Sequence, residues 1–398
     1  MILEAREKRF NLQRELVNKY QLPLVVLRIN YPGNKNNFIV KTIYNLIDLN
    51  LVYVYKTEIE DAEGIVLIGI VDKDAVELKK EMISIEEQHP LGRLLDIDVY
   101  DNFFKQISRS DLGFENRKCL LCDDVAHYCI RSKKHTLKEV QNEIYNIFVS
   151  YMSLHLTNNV LQSLVQELII INKPGLITPL SDGSHIDMDY DLMLKSVQSL
   201  RPGFMKMVKY AFDSDLNSCR KIGIEMENSM FAATGGVNTH KGGIFLMSAL
   251  IFGFVKSLKD DLDWQSAIIE SMRGISSEIK DEFYNSHGKD VYLKYGVLGI
   301  RGEAENGFSL MFDNLDNDYL KVLFKIMSKC DDTTILYRHN LEILNYVKAE
   351  ANRILDNFDI DEIKKLDKEF IKRGISPGGS ADLLGGVIFV NKIMGLLK

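Results

Sequence analysis

Two segments more than a hundred residues apart set a glycine-rich loop directly before an apolar helix. They read Ala-Thr-Gly-Gly-Val-Asn-Thr-His-Lys-Gly-Gly-Ile-Phe over 233–245 and Ser-Pro-Gly-Gly-Ser-Ala-Asp-Leu-Leu-Gly-Gly over 376–386. Glycine lets backbone N–H groups approach an anion closely, and a helix start adds unpaired donors and the positive end of the dipole. Gly235, Gly236, His240 and Lys241 in the first loop, and Ser376, Gly378, Gly379 and Ser380 in the second, therefore read as two phosphate cradles. One such loop alone equally describes a helix start with Gly in unusual backbone geometry. Two together point to a polyphosphate.

Acidic groups accompany them. Asp182-Gly-Ser-His-Ile-Asp-Met-Asp189 ends in His185, Asp187 and Asp189, and alternating carboxylates at a helix mouth can hold Mg²⁺ while it keeps its waters. Either aspartate can instead cap the next helix. Gly299–Gly307 sets Arg301 beside Glu303 and Glu305 in a Gly-bounded loop, and Glu225 and Glu227 precede the first glycine loop. Nearer the N-terminus, His89-Pro-Leu-Gly-Arg-Leu-Leu-Asp-Ile-Asp-Val99 offers Arg93 to a phosphate and puts Asp96 and Asp98 on one face of a strand. That is how a nucleotidyl-transfer site holds Mg²⁺ against a triphosphate, and also how an edge strand makes a polar face. Cys119, Cys122, Cys129 and His135 have spacing that permits a zinc site, with reduced thiols packing a helix-turn as the alternative.

The elements that must position these groups fall into two parts. Helices over 2–20, 37–49 and 74–87 alternate with strands at 23–29, 51–59, 64–71 and 94–100, an α+β domain. From about 137 onward strand signals almost vanish, and apolar residues recur at helical spacing over 138–171, 189–212, 214–233, 242–258, 263–284, 317–329, 338–356, 360–372 and 380–397. This second part is all-α. No Pro/Gly/Ser linker marks the join, placed at 149/150. A chain of 398 residues suits two domains. Its net charge of −7 argues against nucleic acid as a partner; residues 105–138, with eight Lys and Arg against four acids, form a local basic patch. The charged N-terminus lacks the pattern of a signal peptide, the longest apolar run, Gly242 to Val255, is shorter than a bilayer span, and five cysteines do not suggest a disulfide framework. A cytoplasmic protein without a membrane partner is expected.

The strings Lys-Pro-Gly-Leu at 173, 182–189, Met-Phe-Ala-Ala-Thr-Gly-Gly-Val-Asn-Thr-His-Lys-Gly at 230–242, Arg-Gly-Glu-Ala-Glu at 301–305 and Ser-Pro-Gly-Gly-Ser-Ala-Asp-Leu-Leu at 376–384 resemble, in order, the triphosphoribosyl-dephospho-CoA synthase family over about 150–398. The segment 331–340 departs from that pattern. The resemblance implies transfer of the ribose 5-triphosphate of ATP to 3′-dephospho-CoA with loss of adenine. It makes Asp187, Asp189, Glu225 and Glu303 the candidate catalytic carboxylates, with Mg²⁺ on the two aspartates and Arg301 with the glycine loops holding phosphates. Residues 1–145 resemble holo-citrate-lyase synthase through Ala5-Arg-Glu, Asn30-x-Pro-Gly-x-Lys35, the 89–99 string, and Arg117-Lys-Cys-Leu-Leu-Cys through His135. Tyr31 and Asn34 depart from that family. This second resemblance implies a nucleotidyltransferase-like domain that moves phosphoribosyl-dephospho-CoA to a serine of the acyl carrier (γ) subunit of citrate lyase, with Asp96 and Asp98 as catalytic metal carboxylates and Lys35 as a ligand contact. Alternatives are a single retained activity, the carrier of malonate decarboxylase, or a non-enzymatic adaptor for CoA-like nucleotides.

Overall fold

The computed structural model describes residues 2–61, 63–213, 216–280 and 286–397, with the side chains of 216–218 outside the description. The chain divides into two units, Met1–Tyr151 with Leu396–Lys398, and Met152–Gly395. The division falls inside one helix, Leu137–Ile169, which is why no linker composition marks it.

The first unit is built on four strands, β1 (Leu24–Ile29), β2 (Tyr53–Asp61), β3 (Gly64–Val71) and β4 (Leu95–Tyr100), in the antiparallel order β2-β3-β1-β4. The apolar runs of β1 and β3 are buried on both faces because they are central, whereas β2 and β4 alternate as edge strands should. Helix Ile2–Tyr20 lays Leu16 and Val17 on Leu24, Val26, Val66, Ile68 and Ile70. Helix Ala75–Gln88 starts at an Asp74 cap and packs beside β4. Its buried Lys79 donates to the Ile97 carbonyl at 2.7 Å, and its buried Glu86 accepts from the Ile97 N–H at 3.0 Å. Two side chains thus satisfy backbone groups that a bare edge would expose.

In the second unit every described element is helical. The expected 189–212 helix is two, Tyr190–Ser199 and Arg201–Asp213, interrupted at Leu200 ahead of Pro202. The 263–284 stretch becomes Trp264–Met272 followed by a 3₁₀ turn, Ile275–Lys280, and its remainder lies outside the described residues. Helices Lys241–Asp260 and Gly378–Ile393 pack together at the core. Trp264 locks that core, donating to the Leu250 carbonyl at 3.0 Å and meeting Phe254, Phe312 and Phe389 edge-on. With 20 residues, Lys241–Asp260 is long and apolar enough to cross a bilayer, contrary to the shorter run read from sequence, but most of it is buried among neighbouring helices. Short helices His287–Tyr295, Ile300–Glu305 and Thr333–Arg338 occupy stretches without a clear helical period in the sequence.

Candidate functional site

A cavity of about 740 Å³ opens in the helical unit. Its walls come from the 173–188 loop, the start of helix Lys241–Asp260, helix Ile300–Glu305, the 330–338 segment and the start of helix Gly378–Ile393. Distant motifs therefore converge on one space, His185, Asp187, His240, Lys241, Arg301, Glu303, Ser376, Gly378 and Gly379 among them.

The glycine loops differ from simple cradles. Gly235 and Gly236, at φ 66° and 92°, end helix Leu216–Thr234, with Gly236 N–H closing on the Phe231 carbonyl at 2.8 Å. They are exposed C-terminal caps away from the cavity lining. Gly242 is the glycine that matters there, since a Cβ on it would fall 2.0 Å from Asp382 Oδ2. The second loop also faces a protein carboxylate. Buried Asp332 caps helix Thr333–Arg338 through Thr334 N–H at 3.0 Å and Ile335 N–H at 3.3 Å, while its other oxygen accepts from Ser380 N–H at 2.8 Å and Ser380 Oγ at 3.0 Å. Ser380 is thereby turned from the cavity toward Asp332, and the anion bound at this helix start is the protein's own.

Of the expected acids, Asp187 reaches the cavity and lies 3.9 Å from His185 Nδ1. Asp189 caps helix Tyr190–Ser199 through Leu192 N–H at 2.8 Å and is outside the lining. Glu225 pairs with Lys206 at 2.9 Å on the surface; its neighbour Glu227 lines the cavity, 2.8 Å from Lys241 Nζ. Glu305 ties down the 3₁₀ turn through Ser276. Glu303 faces the cavity, its carboxyl pushed up by burial and by Asp331. Asp382, which stands out less in sequence than the glycines around it, is pushed up to about 8 by burial with Glu167 and Asp332 nearby.

Histidines here are neutral. Burial and the Arg338 charge bring His185 down to about 4. Arg338 Nη2 meets its Nδ1 at 3.3 Å, and guanidinium can only donate, so Nε2 carries the proton and donates to Ser376 Oγ at 2.9 Å. Burial likewise brings His240 to about 4, its Nδ1 2.8 Å from Ser196 Oγ, which accepts from Thr239. Arg301 stacks over Phe245 and lies 3.7 Å from Glu278. The lining holds seven carboxylates (Glu167, Asp187, Glu227, Glu303, Asp331, Asp332, Asp382) against four cations (Lys173, Lys241, Arg301, Arg338).

In the first unit, Asp96 and Asp98 do share one face of β4, and both meet Arg28 of β1, Asp96 at 2.9 Å. Arg28 sits opposite Asp96 in the register, and strand alternation gives it the same face. Gln106 donates to Asp98 at 2.7 Å, and burial beside Asp96 raises the Asp98 carboxyl. Lys35 stands within electrostatic reach of Glu63, Arg28 and Asp96, its ammonium lowered by burial. Arg93 does not face this group. It donates to the carbonyls of Lys118 at 2.9 Å and Cys119 at 2.7 Å, bracing the cysteine loop. The ligand atoms of Cys119, Cys122, Cys129 and His135 do gather within 4.8 Å of one another.

A small sheet unit bearing paired carboxylates, joined to a helical unit with a charged cavity, is the frame of a two-part enzyme. Residues 153–398 match the family ATP:dephospho-CoA triphosphoribosyl transferase, and residues 1–151 match apo-citrate lyase phosphoribosyl-dephospho-CoA transferase. The protein CitXG of Haemophilus influenzae is 30% identical over 98% of this chain and 94% of its own length. The CitXG of Leuconostoc mesenteroides subsp. cremoris is 31% identical over 100% and 97%. A 2-(5″-triphosphoribosyl)-3′-dephosphocoenzyme-A synthase of Haemophilus ducreyi is 30% identical over 68% of this chain and 98% of its own. The chain belongs to the CitXG family of fused transferases, combining both matched families in one polypeptide.

Proposed function

We propose that the helical unit transfers the ribose 5-triphosphate of ATP to the ribose 2′-hydroxyl of 3′-dephospho-CoA, and that the sheet unit attaches the product to the acyl carrier subunit of citrate lyase. The observation that carries the first half is the convergence of five separated motifs on one cavity with both cationic and acidic walls. In that reaction the C1′–N9 bond to adenine breaks and a C1′–O2′ bond forms, with positive charge gathering on the ribose. Glu303 stabilises that charge, and Asp382 takes the 2′-hydroxyl proton, a proton then being passed to a ring nitrogen of the departing adenine so that it leaves neutral; a carboxyl near 8 is a stronger base than an ordinary one and operates close to neutral pH. Lys241 and Arg301 hold phosphate oxygens. Arg338 and His185 orient Ser376, whose own proton is left to donate into the cavity.

Even with Asp382 protonated at neutral pH, six acidic side chains face four cations, so a triphosphate entering the cavity calls for a divalent counter-charge. Asp187, which faces the cavity where the capping Asp189 does not, would hold Mg²⁺, leaving Glu303 to the ribose charge. The ion would neutralise the spectator triphosphate.

In the sheet unit, a serine hydroxyl of the carrier attacks the phosphorus bonded to the ribose oxygen, and the P–O bond to diphosphate breaks. Asp96 and Asp98 on one strand face support a nucleotidyltransferase-like reading of this unit. They also fit Mg²⁺, in competition with Arg28 for the same oxygens. Arg28 and Lys35 are suited to receive the departing diphosphate. Free adenine formed from ATP only when dephospho-CoA is present tests the first reaction. Adenine formed without the acceptor, or none at all, would refute it.

A further inference from the structure

We propose that Cys119, Cys122, Cys129 and His135 form a closed structural zinc site that holds the 117–135 loop in shape. It stands independently of the two reactions. Cys122 Sγ lies 3.5 Å from Cys129 Sγ and 3.3 Å from His135 Nε2, and all four ligand atoms fall within 4.8 Å of each other. Sulfur at about 2.3 Å and nitrogen at about 2.0 Å from a tetrahedral zinc put neighbouring ligands roughly 3.5–3.8 Å apart. The donor spacing is thus close to what the ion needs.

The backbone builds this convergence. Cys119 N–H bonds the Asp124 carbonyl at 2.7 Å and Ala126 N–H bonds that of Arg117 at 2.8 Å, closing a tight turn that presents Cys119 and Cys122 together. Cys129 follows on helix Ala126–Ser132, which ends at Lys133 in the left-handed region, φ 50°, and swings His135 back to the same point.

A second observation is independent of that geometry. Helix Ala126–Ser132 has almost no apolar anchor, because Tyr128 and Ile130 are 61% and 75% exposed and Cys129 is its only buried residue. So short a helix does not hold itself in water, and a metal is the usual substitute for a missing core. Binding would release the three thiol protons and leave neutral imidazole as the fourth ligand, a set with no open position for substrate. From outside, Arg93 holds the carbonyls of Lys118 and Cys119, and Arg117 donates to the Leu95 carbonyl at 2.7 Å, tying the loop to the start of β4. The site is therefore placed to stabilise the strand that carries Asp96 and Asp98.

The test uses the full chain purified under reducing conditions without chelator. Elemental analysis is expected to give about one zinc per chain, and cobalt exchanged into the protein to give the intense visible bands of a tetrahedral thiolate site. Cys122→Ser should lose both signals, whereas Cys219→Ser, outside the cluster, should keep them. Stripping the metal should lower the melting transition of the sheet unit and leave adenine release unchanged. Folded, reduced protein that takes up no zinc, or cobalt with the weak spectrum of octahedral coordination, would overturn the proposal. Should Cys122→Ser fail to fold, metal content and the cobalt spectrum of the parent decide it.

Discussion

Replacing Asp332 probes the junction on which the cavity wall depends. Its two oxygens serve four donors at two helix starts, and the residue is 2% exposed. Asp332→Ala removes an N-cap, worth about 1 kcal/mol, and leaves the buried Ser380 N–H unsatisfied, which costs about 1–3 kcal/mol. Against this, the variant no longer buries a carboxylate whose titration is shifted up by burial. The net expectation is a loss of about 2–3 kcal/mol in the stability of the helical unit. Asp332→Asn keeps one oxygen for the Thr334 and Ile335 cap, and its NH₂ can donate to Ser380 Oγ while opposing only Ser380 N–H. About half the loss should follow. Urea unfolding of the full chain, followed by far-ultraviolet circular dichroism, reads both variants. An Ala variant within about 0.5 kcal/mol of the parent, or an Asn variant as damaged as Ala, would show that Asp332 does not hold the two helix starts together.

Asp382 titrates higher in the folded chain than unfolded, so its contribution to stability is greatest below about pH 4 and declines as pH rises toward about 8; Asp382→Asn should flatten that decline in denaturation measured across the range. The same variant should abolish a rise in adenine-release kcat/KM with a midpoint near pH 8, while neutral His185 and His240 give no inflection between about pH 5 and 7. Lys241→Ala should lower kcat/KM for ATP about tenfold or more, the value of a charge-assisted contact, with less effect on dephospho-CoA; an unchanged ATP dependence would remove it from the site. Arg28→Ala and the Asp96→Asn, Asp98→Asn double variant should each cut carrier loading at least tenfold and spare adenine release, measured separately on the same preparation.

The sheet unit was legible because β-branched runs and turn residues coincide, as in Pro23–Ile29 and the hairpin around 61–64. The face shared by Asp96 and Asp98 follows from strand period alone. Arg28 was not singled out, although its alternate position on β1 could have placed it beside them once β1 and β4 were paired. Pairing is a long-range fact that local pattern does not carry. In the helical unit, motif clusters marked the cavity but not the roles within them. Gly235, Gly236 and Asp189 have the residue types of helix caps as well as of ligand sites, and only the course of the chain separates the two. Helix Ile300–Glu305 is too short for a periodic signal, so Arg301 and Glu303 read as a loop. The 331–340 segment departs from the expected family string after Thr333 and after Arg338, and Asp332, a central buried carboxylate, was not singled out in it.

The central proposal is that one chain both makes and attaches the prosthetic group. Its most direct measurement is the intact mass of the apo acyl carrier subunit of citrate lyase after incubation with this protein, ATP, Mg²⁺ and 3′-dephospho-CoA. The expected product is a carrier heavier by one phosphoribosyl-dephospho-CoA group on a serine, with adenine and diphosphate released in equal amounts. A carrier whose mass is unchanged while adenine and the triphosphate precursor accumulate would contradict it.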